Sequence, residues 1–306
     1  MKPIPTLVRR RLSVGMVVLV GAVGCSSPGA AGPGRQVTAV AAEDVWGSLL
    51  ARLAGGRVAV SSIVRNPAVD PHDYDPKPSD AAAVADARLV VVNGLGYDPW
   101  ASKLVDADPS ARRVVLDVGK LVGAQPGENP HRWYMPADVH RVVDAMVAAL
   151  KRIDPAGATT FDSAAAHLYG GGLKVYDDTV ARIGAAFSGT PIAVSESIFD
   201  GMAAALGLRV VSPRTFSAAV AEGNEPTAGD KQAMDRLLSG RQVAVFVYNS
   251  QNTTPDVRAL VATARRAGVP VVAVTETLSP PGSTFEDWQV SQLRHLEHAL
   301  GAARQP

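Results

Sequence analysis

The pattern of this chain predicts an α/β protein of two lobes, each a mostly parallel sheet flanked by helices, with a long backbone helix joining them. Three observations carry that expectation. Short valine-rich runs alternate with segments of helical periodicity, as strands buried on both faces by covering helices require. The alternation occurs twice, before and after a helical stretch over 156–187. Removing an N-terminal segment of 24 residues from 306 leaves 282, more than a single core usually organises.

The first 24 residues read as a secretory signal outside the fold. Arg9, Arg10 and Arg11 precede an apolar run over 14–23, which ends in Gly24-Cys25 and passes into Ser26-Ser27-Pro28-Gly29. A charged start, a short apolar stretch and small residues at the end describe a cleaved signal, and about ten apolar residues are too few to span a bilayer. Ala22-Val23-Gly24-Cys25 resembles a bacterial lipobox, whose cysteine is lipidated, with Ala22 standing where Leu, Val or Ile is usual. The plainer alternative is an incidental cysteine in an ordinary signal. Cys25 is the sole cysteine, which excludes an internal disulfide, and 25–35 reads as a flexible tether.

Strands are expected at 37–40, 58–63, 89–92 and 114–116 in a first lobe over 36–150. A helix is expected at 44–54, closed by Gly55-Gly56. Pro78-Ser79-Asp80 opens another, with Ser79 or Asp80 offering the capping oxygen. Val139, Val142, Val143, Met146, Val147 and Leu150 recur at helical spacing and give one buried face. The linking helix is assigned to 151–188, although Gly170-Gly171-Gly172 inside it leaves room for a kink or two shorter helices. The second lobe, 189–306, repeats the organisation, with strands at 192–194, 209–211, 243–248 and 269–274. Two such lobes leave a cleft at the carboxyl ends of their strands, where open parallel sheets bind ligands.

The charge balance, 30 Lys+Arg against 29 Asp+Glu, gives a formal net charge of +1 with no long run of either sign, which argues against nucleic acid as a partner. Metal chemistry is better supported. His72 and His131 each follow a proline in a loop, and proline stiffens the stalk from which the imidazole leaves. Glu196 and Glu276 each lie two residues past an apolar run, so all four side chains are expected at one cleft. Two imidazoles and two carboxylates suit manganese, iron or zinc. Glu196 also precedes a helical segment, and capping stands level with ligation for it. Tyr74, Trp100, Trp133 and Tyr134 beside the histidine motifs read as packing that excludes water. Tyr248-Asn249-Ser250-Gln251-Asn252 follows a strand and offers either turn residues or hydrogen bonds that orient the ligands.

These segments resemble the metal-specific solute-binding proteins of bacterial ABC importers, the cluster A-I zinc- and manganese-binding lipoproteins. Pro71-His72-Asp73-Tyr74-Asp75-Pro76-Lys77-Pro78-Ser79-Asp80 is similar to the family's first-histidine loop. Asn93-Gly94-Leu95-Gly96-Tyr97-Asp98-Pro99-Trp100 is similar to its N-G-L-G-x-E-P-W segment, and Asn129-Pro130-His131-Arg132-Trp133 to the start of its D-P-H-x-W-x-D-P segment. The resemblance implies a metal held between two lobes by His72, His131, Glu196 and Glu276, with Asp287 a more distant competitor for the fourth position. It further implies a monomeric carrier, not an enzyme, held at the outer face of the membrane by lipid on Cys25. Such a carrier would deliver zinc or manganese to a permease of the ABC importer type. The rival reading is a secreted metallohydrolase, in which one glutamate serves as general base and the metal keeps an open position for water.

Overall fold

Valine and alanine make up most of the strands of two small sheets, and helices cover both faces of each. The computed structural model describes residues 36–67, 69, 71–72 and 74–304; the expected signal segment 1–24, Cys25 and the expected tether 25–35 lie outside the described residues. In the first half, β1 (Thr38–Glu43), α1 (Asp44–Ala54), β2 (Ala59–Val64) and α2 (Pro78–Asp86) come first. They are followed by β3 (Leu89–Val92), α3 (Pro99–Ala107), β4 (Val114–Asp117) and the short α4 (Val118–Leu121). The four strands pair in parallel in the order β2-β1-β3-β4, with Thr38 opposite Ala59, Ala39 opposite Leu89 and Leu89 opposite Val114.

Three helices connect this half to the next: α5 (Pro136–Ile153), α6 (Ala158–Gly170) and α7 (Gly172–Phe187). The expected helix over 156–187 is therefore broken, and the break is at Gly171. A Cβ there would sit 2.8 Å from the His167 carbonyl oxygen, an approach that only glycine permits. Next come β5 (Pro191–Val194), α8 (Asp200–Ala205), β6 (Arg209–Val210), α9 (Arg214–Ala221) and α10 (Ala228–Ser239). Strand β7 (Val245–Asn249), α11 (Pro255–Ala267), β8 (Val271–Val274) and α12 (Phe285–Ala302) complete the chain. The order β6-β5-β7-β8, again all parallel, repeats the topology of the first sheet.

Local sequence explains the element ends that matter for the cleft. Helix α1 buries Val45, Trp46, Leu49, Leu50 and Leu53 along one stripe and stops where Gly55 takes a left-handed φ of 55°. Strand β1 runs three residues beyond the expected 37–40, because Ala41 pairs on both sides, with Ser62 and Val91, before Glu43 ends the strand. One apolar core is continuous through both halves and includes Trp46, Trp133, Tyr176, Phe285 and Trp288. Among the described residues no helix is long and apolar enough to cross a membrane.

In each sheet the strand order reverses beside the first strand, so the loops leaving the carboxyl ends part there and open a crevice. The loops of both halves line a cleft of about 340 Å³ that includes His72, His131, Glu196 and Glu276.

Candidate metal site

His72 leaves the loop between β2 and α2, and the aromatic residues around it fix that loop. The carbonyl of Pro71 accepts a hydrogen bond from Trp100 Nε1 (3.0 Å), and the Tyr74 ring stands edge-on to Trp100 at 4.9 Å. The Tyr74 hydroxyl and the Lys77 backbone N–H both donate to Asp80 Oδ2, each at 2.7 Å, so Asp80 ties the loop to the start of α2. The His72 ring meets Tyr97 edge-on at 4.4 Å and lies 6.2 Å from the His131 ring.

His131 is 3 % exposed and has its tautomer set by a neighbouring amide. Asn129 Nδ2 donates to the Ser197 carbonyl (2.6 Å), which turns the Asn129 carbonyl oxygen toward His131. That oxygen accepts from both the backbone N–H (3.0 Å) and Nδ1 (2.8 Å) of His131. An amide oxygen has no proton to give, so Nδ1 carries the hydrogen and Nε2 keeps its lone pair. Nε2 is buried and has no hydrogen-bond partner. Burial, and secondly the proximity of His72, lower the His131 pKa to about 3, so the ring is neutral across the physiological range.

The carboxylates come from the second half. Glu276 lies two residues past β8; its Oε2 accepts from the Tyr97 hydroxyl (3.0 Å) and its Oε1 from Asn249 Nδ2 (2.7 Å). Glu196 is extended, with φ −159° and ψ 179°, and makes no capping bond to the turn it precedes, so the capping reading is not what the structure shows. Its two oxygens instead accept from Asn249 Nδ2 (2.6 Å) and Asn252 Nδ2 (2.7 Å). Gln251 also lines the cleft. Its side-chain oxygen accepts from the backbone N–H groups of Glu276 (2.5 Å) and Thr277 (3.1 Å), while its Nε2 donates to the Pro67 carbonyl at the root of the His72 loop (2.6 Å).

The structure brings one donor atom each of His72, His131 and Glu276 within 4.8 Å of one another. Glu196 faces the same cleft but lies outside that trio. Asp287 stands apart from it, exposed in the first turn of α12, where it exchanges hydrogen bonds with Thr284. Trp133 and Tyr134 are wholly buried and Trp100 is 5 % exposed, as packing residues would be. His140 stacks on Tyr169 (ring centroids 5.5 Å apart) and contacts Asp177 (3.0 Å), away from the cleft.

Sequence reasoning did not single out Tyr97, whose hydroxyl crosses the cleft to Glu276. Its signal was its place in the Asn93–Trp100 segment, five residues past a strand end. The adjoining Asp98 braces this loop by accepting from the backbone N–H groups of Asn93 and Gly94, each at 2.7 Å. Gly94, at φ 72°, supplies the left-handed turn that the brace needs.

A nitrogen-and-oxygen trio thus sits at the carboxyl ends of two parallel sheets. The profile of the zinc-uptake complex component A, periplasmic (ZnuA), matches residues 39–299. The chain belongs to this family. Among curated proteins it is 33 % identical over 153 residues to the manganese-binding lipoprotein MntA of Halalkalibacterium halodurans, covering 48 % of this chain and 50 % of that one. It is 29 % identical over 119 residues to the iron-binding protein YfeA of Yersinia pestis, covering 37 % of this chain and 38 % of that one. These matches span half or less of the curated relatives' own length. Among solved structures, the periplasmic zinc-binding protein TroA from Treponema pallidum superposes with a TM-score of 0.70 at 19 % identity, over 88 % of this chain and 99 % of that one. A manganese-bound mutant of a periplasmic metal-binding protein from candidatus liberibacter asiaticus gives 0.71 at 16 %, over 86 % and 99 %. At these identities the structural likeness is one of fold.

Proposed function

We propose that the chain captures a divalent transition metal, zinc or manganese, outside the cytoplasm and delivers it to an ABC-type importer permease. In this reading His72, His131, Glu196 and Glu276 are the ligands. The observation that carries it is the His131 Nε2 atom, a buried lone pair with no partner on the wall of the cleft. Leaving such a group unsatisfied costs about 1–3 kcal/mol, a penalty that a bound cation removes. The relatives' names point the same way, since MntA is named for manganese, YfeA for iron and TroA for zinc.

The reading assigns 36–150 and 189–306 to the two lobes, 151–188 to the link between them, and the membrane anchor to lipid on Cys25. It takes the carrier to be monomeric and without catalytic activity. Ligation from both lobes makes occupancy a property of their relative position, which is how a permease distinguishes loaded from empty carrier. The hydrolase alternative needs a glutamate available as general base beside a metal-bound water. Both glutamates are engaged by side-chain donors, Glu196 by Asn249 and Asn252 and Glu276 by Tyr97 and Asn249, and the binding-protein names of the relatives favour the carrier.

The test is metal retention. Protein equilibrated with zinc or manganese and then desalted should keep about one ion per chain, and His131→Ala should weaken binding by about a hundredfold to a thousandfold. A His131→Ala protein that keeps a full complement at wild-type affinity would remove His131 from the site.

A further inference from the structure

The cleft has a rim as well as a wall of donors, and the two halves build that rim from different chemistry. His131, Glu196 and Glu276 are buried. Nearer solvent, the first half contributes Pro67 and Val69, which are apolar and half-buried. The second half contributes Ala221, Glu222 and Gly223, and among the described residues Glu222 is the one exposed ionisable side chain that lines the cleft.

Glu222 stands where helix electrostatics disfavour an acid. It caps the carboxyl end of α9, and the last carbonyls of a helix carry partial negative charge. No cation offsets it: among the described residues Glu222 forms no ion pair, whereas Glu225, three residues on, is paired with Lys231 at 2.8 Å. Its side chain accepts a hydrogen bond from Asn224 Nδ2 to Oε2 (3.1 Å), which steadies the carboxylate without neutralising it. A local rule broken with no compensating contact points to function. The rim is also fastened to the donors behind it. Asn252 Nδ2 donates to the Val220 carbonyl near the end of α9 (3.0 Å) and to Glu196 Oε2 (2.7 Å), so the helix end that carries Glu222 and the carboxylate of Glu196 share one amide.

We infer that Glu222 is the entry residue of the cleft, the carboxylate that a hydrated divalent cation meets before it reaches His72, His131, Glu196 and Glu276. The inference rests on the metal-carrier reading and adds its capture step. An acid at the mouth of a cleft raises the local concentration of cations and with it the association rate, and the gain fades as salt screens the charge. Glu222 stands outside the ligand set, so it acts on arrival and leaves release almost unchanged.

The test separates the two rates. Zinc and manganese association and dissociation are measured by stopped flow against a fluorescent chelator. Glu222→Gln should slow association about threefold or more at about 10 mM ionic strength and less than about twofold at about 0.5 M, with dissociation within about twofold of wild type. Glu222→Lys should slow association further. Asp178→Asn controls for net charge: Asp178 is exposed on α7, outside the cleft lining, and its loss changes the overall charge by the same amount. It should leave association within about 1.5-fold of wild type. Association in Glu222→Gln that stays within about twofold of wild type at low salt, or falls no further than in Asp178→Asn, overturns the inference. So does a change confined to dissociation, which would make Glu222 a contact of the seated ion. Wild-type protein that binds neither ion overturns the carrier reading itself, an outcome separate from any variant result.

Discussion

Both halves place a glutamate at the carboxyl end of the strand beside which the sheet order reverses, and the two glutamates are treated in opposite ways. Glu43 ends β1 and is 1 % exposed; Glu196 follows β5 and is 2 % exposed. Neither Glu43 oxygen meets a donor. Burial, followed by the negative charge of Asp98, pushes its carboxyl well above the ordinary range, which favours the protonated form. Glu196 has an asparagine amide on each oxygen. The asparagines differ in the same sense. Asn93, just past β3, donates to the Pro130 carbonyl (2.9 Å) and accepts from Trp46 Nε1 (3.1 Å), so it fastens the fold. Asn249, at the end of β7, turns its amide to the two acidic side chains. One topology used twice thus yields a brace in one half and a binding wall in the other, and the donors within reach decide which.

The comparison can be tested at three points. Asn129 is the polar prop of a buried imidazole in the first half, so Asn129→Ala should weaken metal binding by about 10- to 100-fold while the apo protein still folds. Unchanged affinity would mean that packing alone orients His131. Glu43→Gln tests the protonated brace. A carboxyl raised in the folded state favours folding at low pH and loses that contribution as pH rises, because the native state then binds more protons than the unfolded chain. Asp44, raised to about 6 chiefly by burial, acts in the same direction, and His131, lowered to about 3, acts in the opposite one. Both are present in wild type and variant; Asp44 and Asp98 also act electrostatically on Glu43, so the difference reports this cluster of three carboxyls. With metal chelated, the melting temperature of Glu43→Gln should match wild type at pH 4 and exceed it by about 4 °C at pH 8. A difference that does not widen with pH would show that Glu43 is ionised. The smallest effect is expected from Trp100→Phe, which keeps the aromatic packing on Tyr74 but removes the bond to the Pro71 carbonyl. It should lower stability by about 1 kcal/mol, or about 2 °C, by thermal melting.

Much of the fold was legible because its signals are local. The valine runs, Gly55 after a periodic helix and the triple glycine of the linking segment each report on a few neighbouring residues, and the elements lie within a few residues of their expected places. Strand β1 was read short because Ala41 and Ala42 carry no β-branched signal, and this hid Glu43 at its end. The convergence of His72, His131 and Glu276 was approachable from sequence because each lies at or beyond a strand end. The contacts that organise them were not. Tyr97 meets Glu276, and Gln251 meets Pro67, across most of the chain's length, and no local pattern in the sequence encodes such pairs.

Gln251 has a mechanical consequence. Its amide holds the strand-end peptides of Glu276 and Thr277 with one atom and the base of the His72 loop with another, so it works as a rigid strut between an oxygen donor and a nitrogen donor. The base of that loop and the peptide that aims Glu276 thus share one side chain as their common fastening.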